Sequence, residues 1–64
     1  MIVKIFSDGK EIQHSTFHKD EVMIGRDSDN DIVLESNSVS RHHARLEYRN
    51  GNIWINDLNS TNGT

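Results

Sequence analysis

The stretch Ala44-Arg45-Leu46-Glu47-Tyr48-Arg49-Asn50-Gly51-Asn52-Ile53-Trp54-Ile55 decides the fold. Ala44, Leu46 and Tyr48 alternate with Arg45, Glu47 and Arg49, the period-two pattern of a strand with one face buried and one in water. Asn50-Gly51 follows at once and the apolar run resumes at Ile53 and Ile55, which predicts a hairpin closed by a type I′ turn. Upstream, Val22-Met23-Ile24-Gly25 and Ile32-Val33-Leu34 read as short strands bounded by polar clusters. Nearer the start, either Val3 and Ile5 or Ile2 and Phe6 supply the inward face of a first strand. Asp8-Gly9 then signals a turn into a second extended segment over roughly Glu11 to Phe17, whose facing the pattern leaves open. No window carries a helical stripe. Several short strands separated by turn signals predict an all-β sandwich or barrel.

Composition bounds what such a fold can do. With 64 residues the chain is one small domain, and a domain of that size buries only about 60% of the surface its unfolded chain exposes. It contains no cysteine, so neither a disulfide framework nor a thiolate metal site reinforces the core, and a cytoplasmic address is the default. The N-terminal apolar stretch is too short for a signal peptide and no segment reaches the length of a membrane span, so no membrane partner is expected. A net charge of −3 argues against nucleic acid as a partner, because phosphate-backbone affinity needs a basic surface. The charge is uneven. Asp20, Glu21, Asp27, Asp29, Asp31 and Glu35 make one stretch acidic, whereas Arg41, Arg45 and Arg49 punctuate the next.

Three groups interrupt the apolar alternation and therefore read as loop tips or strand ends: Gly25-Arg26, Ser40-Arg41-His42-His43, and Asn59-Ser60-Thr61-Asn62-Gly63-Thr64. Together they offer guanidinium, hydroxyl, imidazole and carboxamide donors, the set an oxyanion site requires. Their order and spacing, with Asp57-Leu58 leading into the last group, resemble the forkhead-associated (FHA) domain, and the resemblance runs the length of the chain. It implies an FHA-like β-sandwich of short antiparallel strands that binds phosphothreonine peptides through loops at one end, in Ser/Thr-kinase signalling and without enzymatic chemistry or a cofactor. By that resemblance Arg26 and Ser40 bind phosphate, Arg41 contributes its charge or its backbone amide, Thr61 lies beside the phosphate, and Asn62 holds the peptide main chain. His43 braces the loops, with Gly25 and Gly63 supporting their backbone. The chemistry agrees, since a phosphothreonine carries about −1.5 to −2 charge and three acceptor oxygens and so calls for several convergent donors with a fixed positive charge. The family continues past the Asn-Gly-Thr turn with further strands, so residues 1–64 are expected to be an FHA-like domain incomplete at its C-terminus.

Other readings of the same residues are weaker. Asp27, Asp29 and Asp31 begin like an EF-hand loop, but Ile32 stands where its glycine belongs and Ser38 where its bidentate glutamate belongs. Ser40, His43 and Asp57 are the residue types of a hydrolase triad without a Gly-x-Ser-x-Gly elbow. His42-His43 is a poor metal fragment, because neighbours on a strand point to opposite faces and no third ligand has suitable spacing. Asn59-Ser60-Thr61 and Asn62-Gly63-Thr64 fit the glycosylation acceptor pattern, which matters only in a secreted protein. Arg45 and Arg49 alternate with apolar residues and read as a solvated strand face. The rival of a different class is a structural or self-assembly β-domain without phosphate recognition. Ala44, Leu46, Tyr48, Ile53 and Ile55 then meet a second copy, making a homo-oligomer, or a complementing C-terminal fragment.

Overall fold

Two Asx-Gly turns shape the chain in the computed structural model, which describes residues 1–58, 60, 61 and 63. Asp8 and Gly9 have φ of 52° and 77°, and Asn50 and Gly51 have 51° and 81°, the paired positive values that a type I′ turn demands. The first turn joins β1 (Ile2–Ser7) to β2 (Lys10–Thr16) as a two-stranded sheet. The second joins β5 (Ala44–Arg49) to β6 (Asn52–Asp57) in the register Arg49↔Asn52 through Ala44↔Asp57. β3 (Glu21–Gly25) and β4 (Ile32–Val33) complete a second sheet of order β4-β3-β5-β6. The architecture is an all-β, FHA-like sandwich, with no helix among the described residues. One pairing is parallel: β3 and β4 meet over Ile24↔Ile32 and Gly25↔Val33 only. Leu34, expected within that strand, lies just past it and donates its N–H to the Gly25 carbonyl at 2.8 Å.

The first strand turns Val3 and Ile5 inward, and a bulge in β2 sets which residues lie opposite them. Ile5 pairs with Gln13 and Phe6 with Glu11, so Ile12 is the extra residue. Val3 and Ile5 are half-buried, whereas Ile2 and Phe6 face water. Opposite them β2 offers Gln13 and Ser15 inward, and this polar inner face explains why the segment shows no apolar alternation.

Burial is concentrated at one side of the larger sheet. Val22 and Ile32 are fully buried and Ala44 nearly so, while Leu46 is half-buried and Tyr48 is 47% exposed. Register puts Ile53 and Ile55 on the same face as Leu46 and Tyr48, yet they remain 57% and 63% exposed. The apolar face is thus covered at β3, β4 and the start of β5 and uncovered toward β6.

Asp31, whose structural role is not legible in the sequence, fastens β3 at its β4 side. One carboxylate oxygen accepts the Met23 N–H at 2.8 Å and the other meets the Lys19 ammonium. The Lys19 hydrogen bond, followed by that of Met23, holds this carboxyl below its ordinary value of 3.8. A carboxyl depressed by folding stabilises the folded state above its unfolded pKa and loses that contribution as pH falls through the folded one. Chemical denaturation between pH 7 and 2 is therefore expected to show the parent losing stability below about pH 4. Asp31→Asn starts lower at neutral pH and loses less over the same window, and parallel curves for the two proteins contradict this role.

Candidate functional site

Antiparallel pairing gathers the three polar groups at one end of the larger sheet. Ile24 is opposite Ala44 and Ala44 is opposite Asp57, so the chain leaving β3, entering β5 and leaving β6 meets there. Gly25 closes β3, and its buried position is dictated by sterics, since its φ is not positive. A Cβ on Gly25 would stand 2.1 Å from the Arg41 carbonyl oxygen and 2.7 Å from Asn30 Nδ2, closer than any side chain permits. The space it leaves lets the loops lie side by side. Arg26 N–H donates to Ser40 O at 3.0 Å and Asp27 N–H to Arg41 O at 3.2 Å.

Asn30 clamps this junction, and the sequence reading missed it. Its Nδ2 donates to the Asp27 carbonyl at 2.8 Å and to the Arg41 carbonyl at 2.7 Å, with the residue only 7% exposed. Its Oδ1 is buried with no hydrogen-bond partner among the described residues. In a sequence of aspartates and serines an asparagine reads as one more turn residue. Only its two-donor amide, which Asp and Ser lack, hints at a clamp.

His43 ties the second loop to the third. Its Nδ1 accepts the Ser40 N–H at 3.1 Å, so in the neutral ring the proton sits on Nε2, which donates to the Gly63 carbonyl at 2.8 Å. The His43 main chain joins in: its N–H donates to Ile24 O at 2.8 Å, and its carbonyl accepts Leu58 N–H at 3.0 Å. Gly63 takes a φ of 83°, the left-handed conformation expected for it. Asp57 folds the third loop back by accepting the Ser60 N–H at 2.7 Å and the Ser60 hydroxyl at 2.8 Å. Thr61 then donates its N–H to Ser40 Oγ at 2.9 Å. Since Ser40 Oγ accepts there, its own proton is the part left to offer a ligand.

Arg26, Ser40, Arg41 and Thr61 are thereby held on adjoining loops, supported by Gly25, His43 and Gly63. Asn62, expected to hold a peptide main chain, lies outside the described residues. Arg26 and Arg41 are exposed, and neither forms an ion pair among the described residues. No enclosed cavity exists among the described residues, so the loops form an open surface.

The competing constellations fare differently. Ser40, His43 and Asp57 are not arranged as a triad: His43 Nδ1 faces the Ser40 main chain, and the Asp57 carboxylate engages Ser60. His42 and His43 diverge as expected, but folding brings Asp27 and Asp29 to His42, with ligand atoms of all three within 4.8 Å of one another. There His42 Nε2 meets both Asp29 oxygens at 3.1 Å, so the imidazole and that carboxylate already satisfy each other. Arg45 and Arg49 occupy the outer face, where Arg45 Nε lies 2.8 Å and Arg49 Nε 3.6 Å from Glu47.

A model of the FHA domain matches residues 22–64. The chain belongs to the FHA family. This FHA chain is 60% identical over 40 residues to the transcriptional regulatory protein EmbR of Mycobacterium tuberculosis, covering 62% of the chain and 10% of EmbR. It is 43% identical over 49 residues to the FHA domain-containing protein FhaB of the same organism, covering 77% of the chain and 32% of FhaB. The chain therefore spans a minor part of these relatives. Among solved structures, Mycobacterium tuberculosis EmbR in complex with a low-affinity phosphopeptide superimposes with a TM-score of 0.77 at 42% identity, over 97% of this chain and 15% of that one. A structure from an analysis of phosphothreonine-dependent FHA domain interactions superimposes with a TM-score of 0.74 at 27% identity, over 97% and 62%.

The clamp and the close approach are separately testable. Asn30→Ala removes the two side-chain hydrogen bonds, leaving the Arg41 and Asp27 carbonyls only their backbone donors, and is expected to cost about 2 kcal/mol in denaturant unfolding. Gly25→Ala forces the loops apart and costs about 1–3 kcal/mol, the usual range for overpacking. Unfolding midpoints equal to the parent's in either variant would mean that these contacts do not hold the loops.

Proposed function

We propose that this FHA domain is a phosphopeptide-binding module that reads phosphothreonine on a protein partner in Ser/Thr-kinase signalling. The observation that carries the reading is the junction of three loops at which Arg26, Ser40, Arg41 and Thr61 are backed by Gly25, Asn30 and His43. Arg26 supplies a fixed charge with paired donors matched to phosphate oxygens, which a lysine does not reproduce. Ser40 contributes its free hydroxyl proton, and Arg41 adds a second charge. Thr61 borders the phosphate, while Asn62 holds the peptide main chain. An open surface suits an extended peptide better than a buried small molecule. The similarity to EmbR, solved in complex with a low-affinity phosphopeptide, supports the ligand class. The similarity to an FHA structure whose interactions are phosphothreonine-dependent supports the threonine preference.

Titration calorimetry with a phosphothreonine peptide library tests this. Binding is expected for phosphorylated peptides and not for their unphosphorylated or glutamate counterparts, because a carboxylate offers fewer acceptors and less charge. Equal affinity for phosphothreonine and glutamate would overturn phosphate recognition. Arg26→Ala is expected to weaken binding about tenfold to hundredfold with the unfolding midpoint unchanged, as for loss of a hydrogen-bonded charge pair. Arg26→Lys recovers only part of that loss, and full recovery would reduce Arg26 to a point charge. Ser40→Ala is expected to weaken binding without unfolding the domain, whereas His43→Ala lowers stability more than affinity. A His43→Ala melt matching the parent with binding lost would make the imidazole a ligand instead of a brace.

A further inference from the structure

Each residue from Ser40 to His43 is tied to the segment 24–30. Ser40 O accepts the Arg26 N–H, Arg41 O accepts the Asp27 N–H and the Asn30 amide, and the His43 N–H reaches Ile24 O. The tie at His42 differs in kind, because it joins two side chains: Nε2 lies 3.1 Å from each oxygen of the Asp29 carboxylate. The other ties run through main-chain groups and hold the loops together without it. Both partners of the His42 contact lie at the surface, the imidazole 49% and the carboxylate 69% exposed, where a charged contact adds little to stability. Stability does not account for it, whereas its position does.

Asp29 is three residues beyond Arg26 on one short loop, and His42 directly follows Arg41 on the other. An exposed carboxylate so placed is a rival to phosphate, because a guanidinium binds both with the same paired donors. Yet neither Arg26 nor Arg41 forms an ion pair among the described residues, and both Asp29 oxygens face His42. Asp27 lies on the same loop, half-buried, with a carboxylate oxygen within 4.8 Å of the cluster's other ligand atoms. It makes no hydrogen bond to the ring, so Asp29 is the carboxylate that the imidazole holds.

We propose that His42 is a positioning residue that occupies Asp29 and so keeps Arg26 and Arg41 unpaired for a phosphorylated ligand, an inference that rests on the phosphopeptide reading for the ligand alone. The imidazole does this in either charge state. A neutral ring with its proton on Nε2 donates to the carboxylate, and an imidazolium donates and cancels the charge as well. Without His42 the Asp29 carboxylate turns to a neighbouring guanidinium, and phosphate must then displace it. The competition is between exposed groups and its effect is accordingly modest.

The test compares the parent, His42→Ala, Asp29→Ala and the double variant. Each is titrated calorimetrically with one phosphothreonine peptide at low ionic strength, and its arginine Nε–Hε groups are followed by NMR without ligand. His42→Ala is expected to weaken binding about two- to fivefold with the unfolding midpoint nearly unchanged. Asp29→Ala binds at least as tightly as the parent, since it removes a negative charge beside the site. In that background the His42 substitution has no further effect, the non-additivity of a residue that acts through another. Without ligand, the Nε–Hε group of Arg26 or Arg41 becomes more ordered in His42→Ala and regains its mobility in the double variant. A His42 effect that persists without Asp29 would make the imidazole a ligand in its own right, and weaker binding by Asp29→Ala would reduce the pair to a brace. Either result overturns the proposal, as does a His42→Ala protein with unchanged affinity and unchanged arginine order. Should no protein bind the phosphopeptide while the arginine order changes as expected, the phosphate reading fails and the pairing of His42 with Asp29 retains its role.

Discussion

The missing side chain at Gly25 is the constraint on which the rest of the structure depends. Its hydrogen lies where any Cβ would collide with the Arg41 carbonyl, and that proximity lets the loop after β3 bond to the loop before β5. Arg26 and Arg41 are held on adjoining loops by backbone contacts, and both are exposed. The Asn30 amide fastens the junction by tying the carbonyls of Asp27 and Arg41 to one buried group.

His43 extends this logic to the third loop through hydrogen bonds alone. Accepting at Nδ1 and donating at Nε2, the neutral ring bridges Ser40 N–H and Gly63 O. Ser40 is gripped at its amide by His43 and at its oxygen by Thr61 N–H, which orients the hydroxyl before any ligand arrives. Donors fixed in advance lose little entropy on binding. The small core of Val22, Ile32 and Ala44 lies next to the site-bearing ends of β3, β4 and β5, so the best-packed part of the chain carries the loops.

The opposite side of the sheet has a different character. Tyr48, Ile53 and Ile55 continue the apolar face of Ala44 and Leu46 and are largely exposed among the described residues. The three polar loops and these exposed residues sit on one sheet, joined through β6 itself, which runs from the Asn50-Gly51 turn to Asp57 and the third loop.

Local pattern determined the strands, because period-two alternation and Asx-Gly turns act over a few residues. β5, β6 and both hairpin turns were legible for that reason, and so was the order of donor groups at Arg26, Ser40, Arg41 and Thr61. Tertiary structure decided what depends on residues far apart in the chain. The placing of Gln13 and Ser15 opposite Ile5 and Val3 rests on a bulge at Ile12 that no local rule marks. Asn30 and Asp31 resembled surface turn residues until folding gave them the Arg41 carbonyl, the Met23 amide and Lys19 as partners. The same distance effect brought Asp27 and Asp29 to His42, which spacing along the chain had not suggested. Side-chain type is written in the sequence, but whether a polar group ends up buried and paired is a property of the neighbours that folding supplies.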